Sequence, residues 1–426
     1  MTAASDSALC LLLIAALPLA PAGLALLNCG LNRSRGAAQS MLGALCLMAV
    51  AAVVYAAWGS SLEGFAGGPS HSLQLGGVAW NWVGAAPLFL RGLGDSSLYA
   101  AAFQMFAVSF VVLIPWGSGA DRWRLGSACM AAVLLAGLVY PLFAHWVWAG
   151  GWLAQLDTTF HLGGSFIDPG GAATLQVLGG VAALAVVWKL GPRRGKFPRG
   201  GPPSVIPAHH IIYVLFGCMV ALVGWLALNL LGAILFARIT GPALAMTEIN
   251  TLLCASGALL AAVVVTRLRF GKPDASLCAN AWIAGLVASS AVAAVVPPAA
   301  ALLVGVVAGA ALSPSIEFLE LRCGIDDPTG GIVVHGVSGI WGLLAAGFLG
   351  SHASVSQIVA QLVGIATLLG LVLPVVYGLC WLLNRAMPFR THPHGERIGM
   401  DLHELGSGAY PEFVMHSDEF VPHSSR

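Results

Sequence analysis

The sequence predicts an all-α polytopic membrane protein with eleven transmembrane helices, arranged as two inverted five-helix repeats followed by a final helix. Of its 426 residues, 58% are hydrophobic and 9% are charged, whereas soluble domains carry about 25% charged residues. Apolar runs of about 20 residues, the length that spans a bilayer, recur along the chain. Two of these runs begin with one shared motif, which is typical of a duplicated membrane fold.

The first apolar run has some features of a cleaved signal peptide. Leu11–Ala22 resembles the apolar core of such a peptide, but no Lys or Arg precedes it. The nearest basic residues, Arg33 and Arg35, follow it instead. The charge pattern therefore predicts a retained first helix whose N-terminus lies outside the cell.

Ten further apolar runs follow the first. The boundary between the eighth and ninth spans is the least distinct, because only Pro297-Pro298 separates two apolar stretches. The predicted spans cover approximately residues 7–29, 38–59, 97–118, 127–149, 172–190, 209–235, 246–266, 276–296, 298–318, 332–351 and 355–384.

The basic residues test this number of spans, because the cytoplasmic loops of membrane proteins carry an excess of Lys and Arg. With the N-terminus outside, all of the 19 Lys and Arg residues except Arg91 and Arg238 fall on the cytoplasmic side. The sequence therefore predicts eleven spans with the N-terminus outside and the C-terminus inside.

The predicted domain organisation follows from this topology. Residues 1–385 form the transmembrane domain, and residues 386–426 form a polar, partly ordered cytoplasmic tail. Spans 1–5 and 6–10 are the two halves, and span 11 is left over. An odd number of spans in each half inverts the second half relative to the first. The longest basic inner loop covers residues 189–207.

The shared motif contributes the candidate pore residues. It reads Asp-Pro-Gly-Gly at 168–171, before span 5, and Asp-Pro-Thr-Gly-Gly at 327–331, before span 10. Each acid is followed eight positions later by a polar residue, Gln176 or His335. Eight residues are about two helical turns, so each polar side chain lies roughly 12 Å deeper on nearly the same face. We expect Gln176 and His335 to meet in a narrow pore at the interface of the repeats.

Ordinary structural roles could also explain these residues. His335 could bridge two helices, although ionisable groups at that depth usually face a cavity or a partner. Gln176 could be a simple interhelical hydrogen-bonding residue. Asp168 could be purely structural, accepting backbone N–H bonds where span 5 begins, with cation recruitment as the alternative.

The chain resembles the ammonium transporter (Amt/Mep/Rh) family over roughly residues 7–412. No single motif carries this resemblance, but the matching segments occur in the family's order and agree with the independently predicted topology. They are 30–33 (GLNR), 103–104 (FQ), 120–124 (ADRWR), 144–151 (AHWVWAGG), 168–171 (DPGG), 224–229 (GWLALN), 326–342 and 399–410.

The resemblance implies an ammonium or ammonia cargo, no cofactor or metal, and a homotrimer in which each subunit has its own pore. It identifies Trp148 with the vestibule Trp, Asp168 with the structural acid, and His335 with the second pore histidine. It also implies a multi-pass protein of the cell membrane, specifically a bacterial inner membrane. Its inner loop, 189–207 here, would dock a P-II-type nitrogen-regulatory protein.

The chain departs from the family at four site positions. Gln176 stands where the family has its first pore histidine, and Gly232 where it has the vestibule Ser. The two stacked gate Phe residues align with Ala107 and Leu228. We therefore expect a wider pore entrance, unless Phe106, next to Ala107, swings into the vacant space.

These residues lead to one expected function and two alternatives. The expected function is a channel-like transporter that recruits ammonium in a vestibule and conducts it past Gln176 and His335. The alternatives are transport of another small neutral or amine cargo, and a non-transporting ammonium sensor. An enzyme is not expected, because the sequence shows no nucleophile–base pair, metal cluster or phosphate-binding loop. The net charge of +1 gives no indication of nucleic-acid binding.

Overall fold

The computed structural model describes residues 3–199 and 201–410, so the predicted tail beyond residue 410 lies outside the described residues. By length and apolar composition, eleven helices could cross a membrane, which confirms the predicted number. We label them α1 (Ser7–Leu31), α2 (Ser34–Glu63), α3 (Asp95–Ser118), α4 (Leu125–Val147), α5 (Ala172–Leu190), α6 (Ile211–Leu235), α7 (Pro242–Phe270), α8 (Ala275–Val292), α9 (Pro298–Leu321), α10 (Ile332–Leu349) and α11 (Val355–Ala386).

The indistinct boundary between α8 and α9 is a real break. The eighth helix ends at Val292, and the ninth begins at Pro298. Pro297 has an extended backbone with φ −72° and ψ 159°. A proline suits the first position of a helix, because its missing N–H would have no partner there. The two prolines therefore separate two spans and do not merely kink one.

A β-hairpin departs from the all-α prediction. Strand β1 (Ser70–Leu75) pairs antiparallel with β2 (Val78–Gly84) in the segment between α2 and α3. Gly76 and Gly77 join the strands with φ of +60° and +79°. Tight hairpin turns require such positive φ values, and glycine adopts them without steric strain. We call the end of the molecule that carries this hairpin the hairpin face.

The two halves meet where α5 and α10 cross. A Cβ added at Gly180 would lie 2.6 Å from the Gly336 nitrogen, and one at Gly339 would lie 2.6 Å from Val177 Cγ2. Gly180 lies four residues after Gln176, and Gly339 lies four residues after His335. Their contact residues, Val177 and Gly336, each lie one residue after the polar residue of their own half. This exchange of equivalent positions is what a two-fold relation between the halves produces, so the backbones cross closely at the repeat interface.

A network of ion pairs joins loops at the opposite end of the molecule, which we call the basic face. The buried Arg193 guanidinium lies 2.8 Å from Asp326 and 3.2 Å from Asp121. Burial raises the pKa of Asp326, but the hydrogen bonds and charge of Arg193 outweigh it and lower this pKa to about 2. Buried Arg122 donates to the backbone oxygens of Gly191 and Asp326. The network therefore links the loops before α4, after α5 and before α10.

The chain after α11 packs back onto the basic face. It forms a short helix, α12 (Pro393–Ile398), followed by one further turn. The Asp401 carboxylate accepts hydrogen bonds from Gln39 N–H at 2.7 Å and Ala38 N–H at 3.1 Å. Glu404 accepts one from Leu125 N–H at 2.9 Å. These carboxylates satisfy backbone donors that helices leave free in their first turns, so this segment caps α2 and α4.

Candidate pore site

The structure brings Gln176 and His335 together as a hydrogen-bonded pair. His335 Nδ1 lies 2.7 Å from Gln176 Oε1, and both side chains are buried. Each residue lies in a π-helical turn that opens its helix, Ala172–Val177 in α5 and Ile332–Val337 in α10. The equivalent residues of the two halves therefore face one another at the crossing of the helices.

Asp168 fixes the first of these turns. Its Oδ2 accepts hydrogen bonds from Thr174 N–H and Oγ1, both at 2.8 Å, and from Ala173 N–H at 3.1 Å. Burial raises the pKa of the Asp168 carboxyl to about 6, against the lowering effect of the bonds from Thr174 and Ala173. Its Oδ1 is buried without a hydrogen-bond partner among the described residues. Asp168 is therefore a structural acid that also presents an unsatisfied oxygen.

Asp327 has the corresponding place in the second half. Its Oδ2 accepts a hydrogen bond from Ile332 N–H at 2.7 Å. Asp327 lines a recess of about 510 Å³ on the basic face, together with Arg193, Lys196 and Asn280. Burial raises its pKa above the ordinary carboxyl range. The turn of the second half thus begins beside an open recess.

The chemistry of the pair follows from its donors and acceptors. With the Gln176 oxygen as acceptor, the His335 proton is on Nδ1, and the lone pair is on Nε2. A half-turn of the Gln176 amide would let its nitrogen donate to Nδ1, and the imidazole proton would then be on Nε2. The pair can offer either a lone pair or an N–H at His335 Nε2 while it stays neutral. Gln176 itself cannot accept a proton at neutral pH, so it cannot relay one as a second imidazole could.

An aromatic cluster lies on the hairpin face above the start of α5. The rings of Trp148 and Phe236 stack with centroids 4.4 Å apart and an interplanar angle of 4°. Phe103 packs edge-on against both rings, at 5.9 Å and 5.5 Å respectively. Trp148 Nε1 donates to the Asp168 backbone oxygen at 2.7 Å. Trp148 is therefore tied to the same segment that carries Asp168.

The remaining predicted gate residues lie elsewhere. Ala107 and Leu228 are fully buried in the helical core, and Phe106 packs half-buried against it. A Cβ at Gly232 would lie 2.0 Å from the Pro169 oxygen, so this position packs against the Asp168 segment with no space for a serine. The wider entrance stays a prediction, and beside it the rings of Phe103 and Phe236 pack against Trp148. Phe106 does not belong to this aromatic cluster.

Two recesses open beside the aromatic cluster. One, of about 440 Å³, is lined by Trp148, Phe236 and Asp168. The other, of about 480 Å³, is lined by Trp148, Phe236 and Glu63. The lining residues of either recess include neither Gln176 nor His335, so neither recess reaches the buried pair.

Glu63, at the end of α2, is a buried acid that the sequence reasoning missed. Its carboxylate accepts hydrogen bonds from Gln104 Nε2 at 2.6 Å and Tyr55 Oη at 2.7 Å, and Tyr140 Oη donates to Gln104. His145 contacts the Glu63 backbone oxygen. The sequence does place this acid at the end of an otherwise apolar run, which could have indicated its role. Among the described residues, no group of three or more metal-ligating side chains comes together.

Comparisons with known proteins identify the family of the chain. The Ammonium Transporter Family profile matches residues 8–410. The ammonium transporter Amt2 of Archaeoglobus fulgidus is 31% identical over 415 residues, covering 92% of this chain and 85% of the relative. An ammonium transporter of Bacillus subtilis is 29% identical over 411 residues, covering 92% of this chain and 94% of the relative.

Solved structures share the fold at lower identity. A sensor Amt protein superposes with a TM-score of 0.85 at 23% identity, covering 94% of this chain and 98% of that one. Mep2 of Candida albicans superposes with a TM-score of 0.76 at 23% identity, covering 96% and 90%. The match spans both halves, the paired motifs and the segment after α11. The chain therefore belongs to the ammonium transporter family.

Proposed function

We propose that this protein is a channel-like transporter that takes up ammonium on the hairpin face and conducts it past Gln176 and His335. The observation that carries the proposal is the 2.7 Å hydrogen bond between these residues, on equivalent turns of the two halves. A buried polar pair in an otherwise apolar crossing is costly in a membrane, and such residues usually mark a conduction path. The family is one of transporters rather than enzymes, which agrees with this proposal.

The outer recesses supply the chemistry for recruiting a cation. The Asp168 carboxylate can stabilise ammonium in its recess by charge, and Trp148 can do so by a cation–π contact wherever Phe236 does not cover its ring. Moving an ion from water into an apolar channel costs far more than moving a neutral molecule. The cation therefore gives up its proton to water in one of these recesses, and neutral ammonia crosses to the buried pair.

The pair then guides ammonia through the apolar section. Ammonia both donates and accepts hydrogen bonds, and His335 Nε2 can present either a lone pair or an N–H, depending on the Gln176 amide. Potassium cannot lose its charge by deprotonation, so the same path excludes it. Transport of neutral ammonia without a proton is the simplest outcome for a pair with one ionisable member.

Flux measurements on the purified full chain in liposomes test this proposal. Ammonium, methylammonium and potassium pulses of equal concentration are compared, with current recorded on a supported membrane and internal pH followed by an entrapped dye. We expect an ammonium response in pH, in current or in both, and none to potassium. Protein-free liposomes are the control. An ammonium response no larger than theirs would reject transport.

A second candidate, ammonium sensing without conduction, is favoured by one observation. The Trp148 ring is covered by Phe236, and neither outer recess reaches the buried pair. A sensor would bind ammonium on the hairpin face without passing it. Calorimetric binding of ammonium, with no flux in the liposome assay, would identify this function.

We also propose a membrane orientation, an assembly and a regulatory partner for this transporter. The basic face is cytoplasmic, residues 1–385 form the transporter domain and residues 386–426 its cytoplasmic tail, and three copies assemble in a cell membrane, that of a bacterium. A P-II-type protein docks at the loop 189–207. Arg193 and Lys196 of this loop are engaged in ion pairs, whereas Arg194 and Arg199 are exposed and can meet such a partner.

A further inference from the structure

Phe236 holds a position on the hairpin face that neither the paired motif nor the aligned gate residues explain. It directly follows the last residue of α6, and its backbone N–H donates to the Gly232 oxygen at 2.9 Å. The ring is thus carried at the end of a helix and is only half-buried. A half-buried aromatic ring on a fixed backbone can change its rotamer without moving the helix.

The Asp168 segment anchors both members of the ring stack. Trp148 Nε1 donates to the Asp168 oxygen. Gly232, one turn before Phe236, packs so closely on Pro169 that no side chain fits between them. The segment Asp168-Pro169 therefore positions both the Trp148 indole and the end of α6. Because both are held by the same backbone, the rings of Trp148 and Phe236 overlap.

The stack also forms the partition between the two outer recesses. Trp148 and Phe236 are the lining residues that both recesses share. One recess contains Asp168, and the other contains Glu63. With the rings parallel at 4.4 Å, this face of Trp148 cannot contact a cation. A shift of the Phe236 side chain would uncover the indole and join the two recesses.

We infer that Phe236 is the gate of this chain and determines which small ammonium cations reach Trp148. Ala107 and Leu228, where the family resemblance aligns gate rings, lie in the core without aromatic side chains. In this chain the phenyl ring of Phe236 covers Trp148 instead. Ammonium needs a brief displacement of the ring, and methylammonium needs a larger one. This inference rests on the proposed function and identifies its selectivity element.

Three variants test the gate. Phe236→Leu removes the ring but keeps an apolar side chain, and Phe236→Tyr keeps the ring. Phe216→Leu makes the same change on the exposed surface of the same helix and serves as the matched control. Initial responses to methylammonium and ammonium are measured in the liposome assay, and methylammonium affinity is measured by calorimetry. Elution volume and thermal unfolding verify that each variant is folded.

We expect Phe236→Leu to raise the methylammonium-to-ammonium response ratio about threefold or more, the low end of what an uncovered cation–π contact contributes. Its affinity for methylammonium should rise by a similar factor. Phe216→Leu should match the wild type, and Phe236→Tyr, which keeps the ring, should raise the ratio less than Phe236→Leu does. A wild-type ratio and affinity in folded Phe236→Leu would overturn the gate while leaving ammonium transport standing.

A wild type without ammonium flux gives two further outcomes. Tighter methylammonium binding in Phe236→Leu would then support the gate and reject transport. Unchanged binding in that variant would reject both. An equal rise of the methylammonium-to-ammonium ratio in Phe236→Tyr and Phe236→Leu would also contradict the inference, because Phe236→Tyr retains the ring.

Discussion

Asp168 and Asp327 occupy the same place in the two halves, but they are held differently. Asp168 is buried, and its Oδ2 accepts three hydrogen bonds from the turn that it precedes. Asp327 accepts a bond from Ile332 and borders the open recess of the basic face. Beside it, the Arg193–Asp326 ion pair ties down the loop. The turn of each half is thus held by its own acid, and in the second half the neighbouring loops are also tied down by the ion pair.

The polar residues of the two halves show a matching asymmetry. His335 can ionise, and Gln176 cannot, although they exchange a hydrogen bond across the two-fold relation. Duplication has therefore kept the geometry of the turn while each half acquired a different chemical task. Changes to the turn that Asp168 holds should affect stability, and changes to the pair should affect transport.

The largest difference between the two halves is expected in stability, when the acid of each half is removed in turn. Asp168→Ala deletes three bonds to a buried acceptor and should lower the free energy of unfolding by about 3 kcal/mol. Asp327→Ala should lower it by about 1 kcal/mol, because the ion-pair network remains. Thermal unfolding of both variants in one detergent measures this. Equal losses would show that the two turns depend equally on their acids.

Asp168 should also make the stability of the protein depend on pH. Its folded pKa of about 6 lies above the unfolded value of about 3.9. Between these values the folded state keeps the proton that the unfolded state has lost, so stability falls as pH rises from 4 to 6. Relative to Asp168→Asn, the wild type should lose roughly 2–3 kcal/mol over that window. Parallel unfolding curves for the two proteins from pH 4 to 7 would contradict the raised pKa.

His335→Ala should have the largest effect on transport. It removes the one ionisable side chain of the buried pair, and ammonium flux should fall at least about tenfold, or 1.4 kcal/mol. The liposome assay measures it, with protein content and assembly matched to the wild type. Full flux in this variant would leave His335 with a structural role alone.

Gln176→Ala should be milder. It deletes a hydrogen-bond partner worth about 1 kcal/mol but leaves the imidazole in place, so flux should fall about fivefold. The comparison with His335→Ala in the same assay is the informative one. An equal or larger loss in Gln176→Ala would mean that the amide, not the imidazole, dominates the pair.

Gln176→His should have the smallest effect, and it should go in the opposite direction. A second imidazole restores two groups that can exchange protons, so ammonium flux should stay the same or rise. Simultaneous recording of current and internal pH shows whether a proton now accompanies ammonia. A strong loss of flux would show that this chain is adapted to its glutamine.

The sequence predicted the helices well because span length and apolar composition are local properties. Even the break at Pro297-Pro298 was visible, since a proline pair starts a helix more readily than it continues one. Gln176 and His335 could be paired from sequence because the duplicated motif gives both the same distance from their acid. The hairpin was missed, although Gly76-Gly77 is a recognised turn signal.

The outer cluster was beyond sequence reasoning for a different reason. Resemblance transfers roles only to aligned positions, so it directed attention to Ala107, Leu228 and Gly232. Phe236 lies one helical turn beyond Gly232, and its contact with Trp148 depends on the close packing of α6 against Pro169. No local pattern encodes such a contact between distant segments.

The segment after α11 has a consequence for how truncated proteins are interpreted. The Asp401 and Glu404 carboxylates accept hydrogen bonds from backbone N–H groups in the first turns of α2 and α4. A deletion that ends before Asp401 exposes those backbone donors and loosens two membrane helices at once. Low activity of such a truncated chain would then report damaged architecture, and it could easily be misinterpreted as the loss of a signal. Fusion partners and shortened chains for functional work are therefore best joined after residue 410.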